Sequence, residues 1–207
     1  MLLTYSSTWA RRPCHGPCYK PAAVLRCSRT PALMETPPGD LPINIRSFKP
    51  ADLPACRELY VGGLAGGRVA ENDSGLDIDD IERAYMKTPG NHFWVAEIAQ
   101  AMDGAAPAVV GMVGVQHHEE NAAEIRRLRV REDLRRRHIG TRLMETALKF
   151  CQDHGYLKIT LDTFVEREPA LKLFEKFRFR HSRTRVVSGK ELMYFYLDLY
   201  TPDRVRN

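Results

Sequence analysis

Residues 124–144 read EIRRLRVREDLRRRHIGTRLM and contain the local pattern that decides the fold. The stretch from Ala123 to Val130 alternates apolar and polar side chains and predicts a β-strand. An apolar stripe with helical spacing begins at Ile139, so a helix is expected to start there. A turn rich in arginine lies between the two, and Gly140 falls at the start of the helix. The stretch therefore predicts a strand, a basic turn and a helix in succession.

This turn has the properties of an anion-binding site. The first N–H groups of a helix have no partner within the helix and lie at the positive end of its dipole. Gly140 lets the backbone approach a ligand closely, and Arg135, Arg136 and Arg137 add charge and hydrogen-bond donors. Charge runs are often solvated surface, but this one lies in a strand-to-helix turn. The residues predict a pyrophosphate held on backbone amides and flanked by guanidinium groups.

The rest of the chain predicts an α/β domain around this unit. Asp52 is expected to cap the first helix and Gly155 to end the third one in the left-handed conformation. The predicted strands cover 43–48, 93–98, 109–115, 123–130, 157–162, 180–187 and 192–199, and the helices begin near Asp52, Asp77, Ile139 and Ala170. This order predicts a mixed sheet of about seven strands flanked by about four helices.

The composition limits the class of protein. The chain has 207 residues, 43% of them hydrophobic and 28% charged, which is typical of a globular domain. No apolar run approaches the ~20 residues that cross a bilayer, so no membrane partner is expected. The net charge of +5 permits an anionic ligand and does not by itself indicate nucleic acid.

The cysteines indicate a reducing compartment, and the cytoplasm is the expected location. Of the five cysteines, three lie in the first 27 residues, and the remaining two, Cys56 and Cys151, form no disulfide framework. Cys14 and Cys18 have no matching pair at useful spacing, so no metal site is expected.

Residues 1–41 are expected to lie outside the folded domain, which we place at 42–207. Residues 1–33 contain no Asp or Glu and follow neither a helix nor a strand period, and the prolines and glycine of 35–41 indicate a linker. Three interpretations stay open for the leader: a disordered segment, an organelle-targeting segment, or an upstream extension wrongly assigned ahead of a true start at Met34.

The basic turn resembles the acetyl-CoA signature of the GNAT superfamily of N-acetyltransferases, in which Arg or Gln is followed by x-x-Gly-x-Gly or Ala. Arg135 takes the first place, Gly140 takes the place of the second glycine, and His138 stands where the first glycine is usual. The element order from 42 to 200 agrees with the GNAT fold. The resemblance implies acetyl-CoA as cosubstrate, a sheet splayed to admit it, and a phosphate site made of Arg135, Arg136, Arg137, His138, Ile139, Gly140 and Thr141.

In GNAT enzymes the strand before this turn carries a bulge. Its backbone amides bind the pantetheine arm and help to polarise the thioester carbonyl. The matching positions are Leu128, Arg129 and Val130, and the strand at 157–162 would form the other wall of the gap.

Glu124 is the candidate general base, because some members of the superfamily carry a catalytic glutamate at this place on the strand. A strand-edge glutamate paired with an arginine is the alternative. His117 and His118 follow the preceding strand and could also titrate near neutral pH.

The usual general acid of the superfamily, a tyrosine on the later helix, is replaced here by Phe174. Three explanations stay open. The thiolate leaves without a dedicated acid, or Tyr194 or Tyr196 on the last strand supplies the proton, or the protein binds acyl-CoA without turnover.

The expected function is transfer of an acetyl group to the amine of a small molecule or peptide, by direct attack in a ternary complex, in a monomer or homodimer. The alternatives are a non-catalytic acyl-CoA-binding protein or sensor, and a nucleic-acid-binding module. No nucleic-acid partner is expected, because the basic run from Arg126 to Arg142 contains no interleaved aromatic residues.

Six acidic residues lie in the front part of the chain, and we call them the front acids: Glu71, Asp73, Asp77, Asp79, Asp80 and Glu82. One hypothesis is that they attract a cationic acceptor. The alternative is that they interact favourably with the dipoles of the helices they precede.

Overall fold

A computed structural model describes residues 42–63, 75–98 and 107–200. The predicted leader and linker, 1–41, lie outside the described residues, as do Glu71 and Asp73 of the front acids. Across the described ranges, no helix is long and apolar enough to span a bilayer. The same residues contain no group of three His, Cys, Asp or Glu side chains that could hold a metal ion.

A seven-stranded mixed sheet forms the centre of the fold, in the spatial order β1-β2-β3-β4-β5-β7-β6. Neighbouring strands are antiparallel except β4 and β5, which are parallel. The strands are β1 (Ile43–Ser47), β2 (His92–Ile98), β3 (Ala108–Glu119), β4 (Ala122–Val130), β5 (Lys158–Phe164), β6 (Arg180–Val187) and β7 (Lys190–Asp198).

The helices of the described residues are α1 (Leu53–Gly62), α2 (Leu76–Asp79), α3 (Ile139–Asp153) and α4 (Glu168–Lys176). The predicted α/β class, mixed sheet and element order are confirmed. The second helix differs in detail, since α2 is a single turn followed by a π-helical turn over Glu82–Met86. The apolar side chains of this segment, Ile78, Ile81 and Tyr85, are almost fully buried.

Apolar side chains cover both faces of the sheet. On one face α3 buries its predicted stripe, including Leu143 and Ala147, against Ile159 of β5 and Phe174 of α4. On the other face α1 and the segment from α2 to Met86 pack on Phe93 of β2 and its neighbours. Within this second layer, α1 also contacts β4, the strand beside which the site forms.

Positive backbone angles confirm the predicted helix end at Gly155 and also form the turn between β6 and β7. Gly155 follows α3 with φ +73°, and the N–H of Tyr156 donates to the carbonyl of Cys151 at 3.0 Å, which is a Schellman ending. Ser188 and Gly189 join β6 to β7 with φ values of 51° and 75°, as a two-residue hairpin turn requires.

Asp52 does not act as the predicted side-chain cap. It occupies the position before α1, but its side chain makes no capping bond to that helix. Its Oδ2 instead accepts hydrogen bonds from the backbone N–H of Lys49 at 2.8 Å and from Arg46 Nη1 at 2.7 Å. The stronger charged partner on β1 therefore holds the carboxylate.

Candidate active site

The strands β4 and β5 separate partway along their length. They pair only from Ala122/Lys158 to Glu124/Thr160. Beyond this point β4 stays paired with β3, and β5 stays paired with β7 as far as Phe164. The divergence opens a cleft of about 1790 Å³ between them. Backbone edges that face such a gap can bind an extended chain.

A bulge interrupts β4 at the cleft. Gly114 lies opposite Arg126 and Met112 lies opposite Arg129, so Arg127 and Leu128 face a single residue of β3. Arg127 has φ 57°, an uncommon angle for a residue other than glycine. The resemblance implied a bulge at Leu128 to Val130, and the structure places it one residue earlier. All three implied positions line the cleft.

The side chain of Arg127 explains its backbone angle. Its guanidinium is buried, with Nε 2.8 Å from Oδ2 of Asp77, and stacks on the ring of Tyr60 with 5.0 Å from Cζ to the ring centroid. Tyr85 donates its hydroxyl to the same carboxylate at 2.6 Å. Burial raises the pKa of Asp77, but the hydrogen bonds from Arg127 and Tyr85 outweigh it and hold that pKa below its usual value. The bulge is thus tied to α1 through Tyr60 and to α2 through Asp77.

The basic turn ends in a left-handed conformation. Arg136 has φ 63° and His138, the residue before α3, has φ 58°. When left-handed residues alternate with residues of negative φ, successive backbone N–H groups point towards one side and form a concave site that binds anions. The first intrahelical bond runs from the N–H of Arg142 to the carbonyl of His138 at 3.0 Å, which leaves the preceding helical N–H groups for a ligand.

Tight packing does not explain why position 140 is a glycine. A Cβ on it would lie 3.5 Å from Leu173 and 3.8 Å from Val130, both ordinary contacts. The missing side chain instead leaves the cleft wall open at the start of α3. Of the implied phosphate site, the residues that line the cleft are Arg135, Arg136, His138, Ile139, Gly140 and Thr141, whereas Arg137 is exposed outside it.

Glu124 lies in the cleft at the last paired position of β4. Its carboxyl is mostly buried, and this burial raises its pKa, with Arg126 opposing the shift and Asp162 adding to it. Arg126 donates from Nη1 to Gln116 at 3.1 Å. A carboxyl with a raised pKa in a cleft has the properties of a general base.

The two tyrosines of β7 occupy different surroundings. Tyr194 lines the cleft, opposite Asp162 of β5. Tyr196 is not among the lining residues, and Nζ of Lys158 lies 5.7 Å from its ring centroid. Phe174 is buried and touches the cleft, with ring centroids 5.9 Å from Phe179 and 5.8 Å from Phe195.

Neither candidate histidine lines the cleft. Asn91 Oδ1 accepts the backbone N–H of His117 at 2.6 Å, and the ring of His117 lies 6.0 Å from that of Tyr156. His118 lies 3.9 Å from Glu119 near the β3–β4 turn.

The front acids of the described residues have protein partners. Asp77 binds Arg127, as described above. Asp79 pairs with Arg57 of α1 at 3.4 Å, while Asp80 accepts from the N–H of Arg83 at 3.0 Å and Glu82 pairs with Lys87 at 3.0 Å. These carboxylates therefore bind protein groups, either within their own segment or on a neighbouring element.

Arg129, a predicted position, and Arg167, which was not predicted as a site residue, both contact the end of α1 beside the cleft. Arg167 donates from Nη2 to the carbonyl of Gly63 at 2.7 Å, which joins the start of α4 to the end of α1. A Cβ on Gly63 would lie 2.5 Å from the side chain of Arg129, which would have to move to admit it. No local sequence pattern links Arg167 to Gly63, which lies 104 positions away.

The comparisons with known proteins agree with this geometry. The chain matches the acetyltransferase (GNAT) family over residues 57–179. It is 40% identical to N-acetylaspartate synthetase of Mus musculus over 106 residues, which are 51% of this chain and 33% of that protein. It is 35% identical to the probable N-acetyltransferase camello of Xenopus tropicalis over 113 residues, 54% of this chain and 48% of that one. The chain thus spans a third to about half of the length of these relatives.

Solved structures share the fold. Ard1 of Thermoplasma volcanium superposes with a TM-score of 0.63 at 21% identity, over 77% of this chain and 99% of that one. The yncA protein of Salmonella typhimurium, solved with its cofactor acetyl-CoA, gives 0.62 at 16% identity, over 79% and 99% of the two chains. The family match covers more than half of this chain and includes the diverging strands and the basic turn. The chain belongs to the GNAT family of acetyltransferases.

Proposed function

We propose that this chain transfers the acetyl group of acetyl-CoA to the amine of a second substrate while both are bound. The divergence of β4 and β5 beside the amino terminus of α3 carries this proposal. A gap between strands fits a narrow, extended pantetheine arm, and the turn at its end fits a pyrophosphate.

The donor side of the cleft is built from backbone and arginine. Acetyl-CoA supplies the acetyl group as a thioester and leaves as a thiolate. Leu128, Arg129 and Val130 present the backbone edge of β4 to the arm. The N–H groups of Ile139, Gly140 and Thr141 bind the phosphates, and the guanidinium groups of Arg135 and Arg136 flank them.

Glu124 removes the proton from the acceptor amine, directly or through a water molecule. Burial raises its pKa, so it holds a proton more firmly than an exposed carboxylate does. It also lies on the sheet face that α1 and α2 flank, where it can meet a second substrate while the donor occupies the gap.

The departing thiolate needs little help. An ordinary thiol has a pKa of about 8.5, so a thiolate is a tolerable leaving group near neutral pH. Phe174 cannot donate a proton, whereas the hydroxyl of Tyr194 lies on the cleft wall and can. Tyr194 is therefore the proposed donor to the sulfur.

The proposed acceptor is an amine that also carries a carboxylate, such as an amino acid. The name of the relative N-acetylaspartate synthetase refers to an acetylated amino acid. The described front acids have protein partners, which removes their support for a cationic acceptor. Arg126, beside Glu124 on the cleft wall, favours an anionic one.

Calorimetric titration of acetyl-CoA tests donor binding. Wild type should bind in the micromolar range. Gly140→Asp should lose binding because it places a negative charge at the phosphate site, while Gly140→Ala should fold normally, since its Cβ meets only ordinary contacts. Failure of wild type to bind would overturn the proposal.

Free thiol release in the presence of amines tests turnover. Amino acids, simple amines and short peptides are supplied with acetyl-CoA, and release above the no-amine control identifies the acceptor class. Binding of acetyl-CoA without release from any amine would instead support the non-catalytic acyl-CoA-binding protein.

A further inference from the structure

Two arginines of β6 stack on the cleft tyrosine of β7. The strand register places Arg183 opposite Tyr194 and Arg185 opposite Leu192, two residues further along the same face. The Cζ of Arg183 lies 4.7 Å from the ring centroid of Tyr194, and the Cζ of Arg185 lies 5.9 Å from it. Two guanidinium groups are therefore gathered on one ring.

This cluster lies on the same sheet face as the proposed base. Paired residues of neighbouring strands share a face, and the pairs Glu124/Thr160 and Thr160/Tyr196 link β4 to β7. Tyr194 is two residues from Tyr196, so it shares that face. Tyr194 and Lys190 both line the cleft. Arg183 and Arg185 lie outside the lining, against the ring of Tyr194.

The cluster carries positive charge that the protein does not neutralise. Within the described ranges, no carboxylate forms an ion pair with Arg183, Arg185 or Lys190. Like charges repel, and gathering two of them beside a cleft is unfavourable unless an anion joins them. Guanidinium groups stacked on a ring keep their N–H edges available for a planar carboxylate.

Solvated arginines on an edge strand are also a common protection against unwanted strand pairing. Arg180 meets that description, since it lies opposite Tyr196, outside the cleft lining. Arg183 and Arg185 differ from it because both converge on a ring that forms the cleft wall. Arg180 therefore serves as a matched control on the same strand.

We propose that Arg183 and Arg185, stacked on Tyr194, bind the carboxylate of the acceptor and direct its amine towards Glu124. This proposal rests on the proposed acetyl transfer, and it assigns the selection of the acceptor to Arg183 and Arg185. Adjacent strands lie about 4.8 Å apart and β5 separates β7 from β4, so the strands of Tyr194 and Glu124 are about 10 Å apart. This span suits an acceptor whose carboxylate lies several bonds from its amine.

The kinetic test compares Arg183→Gln, Arg185→Gln, the double variant and Arg180→Gln. Each is given an amino acid acceptor and the same compound with its carboxylates converted to amides. For the double variant, KM for the acid should rise about tenfold or more, with KM for the amide and Kd for acetyl-CoA nearly unchanged. Arg180→Gln should change none of these values more than about twofold. Equal losses for acid and amide, or no loss for either, would overturn the proposal.

A binding test separates this proposal from the proposed transfer. Succinate, which carries carboxylates and no amine, is titrated into the CoA-saturated protein. Wild type and Arg180→Gln should bind succinate, and the double variant should not. If no amine releases thiol but succinate binding still depends on the two arginines, the anion site stands and the transfer fails. Equal succinate binding by wild type and the double variant, or none by wild type, would overturn the anion site.

Discussion

The guanidinium of Arg127 and the carboxylate of Asp77 form a buried ion pair between residues 50 positions apart, with Nε 2.8 Å from Oδ2. The pair joins the bulge of β4 to α2. Because Arg127 is itself the bulge residue with φ 57°, the ion pair holds the cleft edge in a conformation that its backbone alone would not favour.

Asp77→Ala should lower the free energy of unfolding by about 3–5 kcal/mol, because it leaves the charge of Arg127 buried and unpaired. Asp79→Ala, on the same helix, breaks an exposed pair with Arg57 and should cost less than about 1 kcal/mol. Urea unfolding measures both. The double variant Asp77→Ala/Arg127→Met should recover much of the loss, since no isolated charge remains. Equal stability of the two single variants would contradict a special role for the buried pair.

The activity of the wild type should fall as the pH falls through the raised pKa of Glu124, because protonation removes the base. Glu124→Gln should lower kcat about 100-fold or more and abolish this acidic limb. Glu120→Gln, which removes the same charge from the exposed β3–β4 turn, should leave both unchanged. The pH profile of kcat/KM is the measurement, and an acidic limb that survives in Glu124→Gln would assign the titration to another group.

Glu124→Gln should also make the protein more stable at pH 8 than the wild type. The folded-state pKa of Glu124 is raised, so its charged form destabilises the fold. That cost is absent below the ordinary pKa of about 4.3 and is fully present above the raised value. Thermal unfolding should therefore give a higher melting temperature for Glu124→Gln than for wild type at pH 8, a gap that closes near pH 4. A gap of the opposite sign would mean that Glu124 is stabilised as an anion.

The regular elements could be predicted because each depends on local spacing. The stripe of Leu143, Ala147 and Cys151 specifies the buried face of α3, and Gly155 specifies where it ends. The basic turn could also be located, because its arginines and Gly140 lie within one short segment.

The parts of the site that depend on distant partners could not be predicted. In the sequence, nothing distinguishes Arg127 from the neighbouring arginines. Its left-handed backbone angle accompanies the buried ion pair with Asp77, a residue 50 positions away. Asp77 itself reads as a helix-start acid. In the same way, Tyr194 lines the cleft and Tyr196 does not, because β4 and β5 separate beside Tyr194. The sequence of β7 alone contains no pattern that predicts this difference.

His138→Gly should stabilise the fold by roughly 1 kcal/mol, because His138 has φ 58°, an angle that glycine adopts without a steric cost from Cβ. The same change removes a side chain from the cleft wall and should tighten acetyl-CoA binding a few-fold. His138→Ala is the control, since it shortens the side chain but keeps Cβ. Unfolding and calorimetric titration measure the two effects. Stabilisation by alanine equal to that by glycine would show that the imidazole, and not the backbone angle, is unfavourable.

Tyr194→Phe should lower kcat about tenfold or more, whereas Tyr196→Phe should change it less than about twofold. Tyr194 lies on the cleft wall and Tyr196 does not, so we expect only the hydroxyl of Tyr194 to approach the departing sulfur. Phenylalanine keeps the ring on which Arg183 and Arg185 stack, so KM for the acceptor should stay nearly constant in Tyr194→Phe and rise in Tyr194→Leu. Steady-state kinetics with both substrates separates the two roles. If Tyr194→Phe retains full kcat, the thiolate leaves without a proton from this residue, and the ring alone accounts for its place in the cleft.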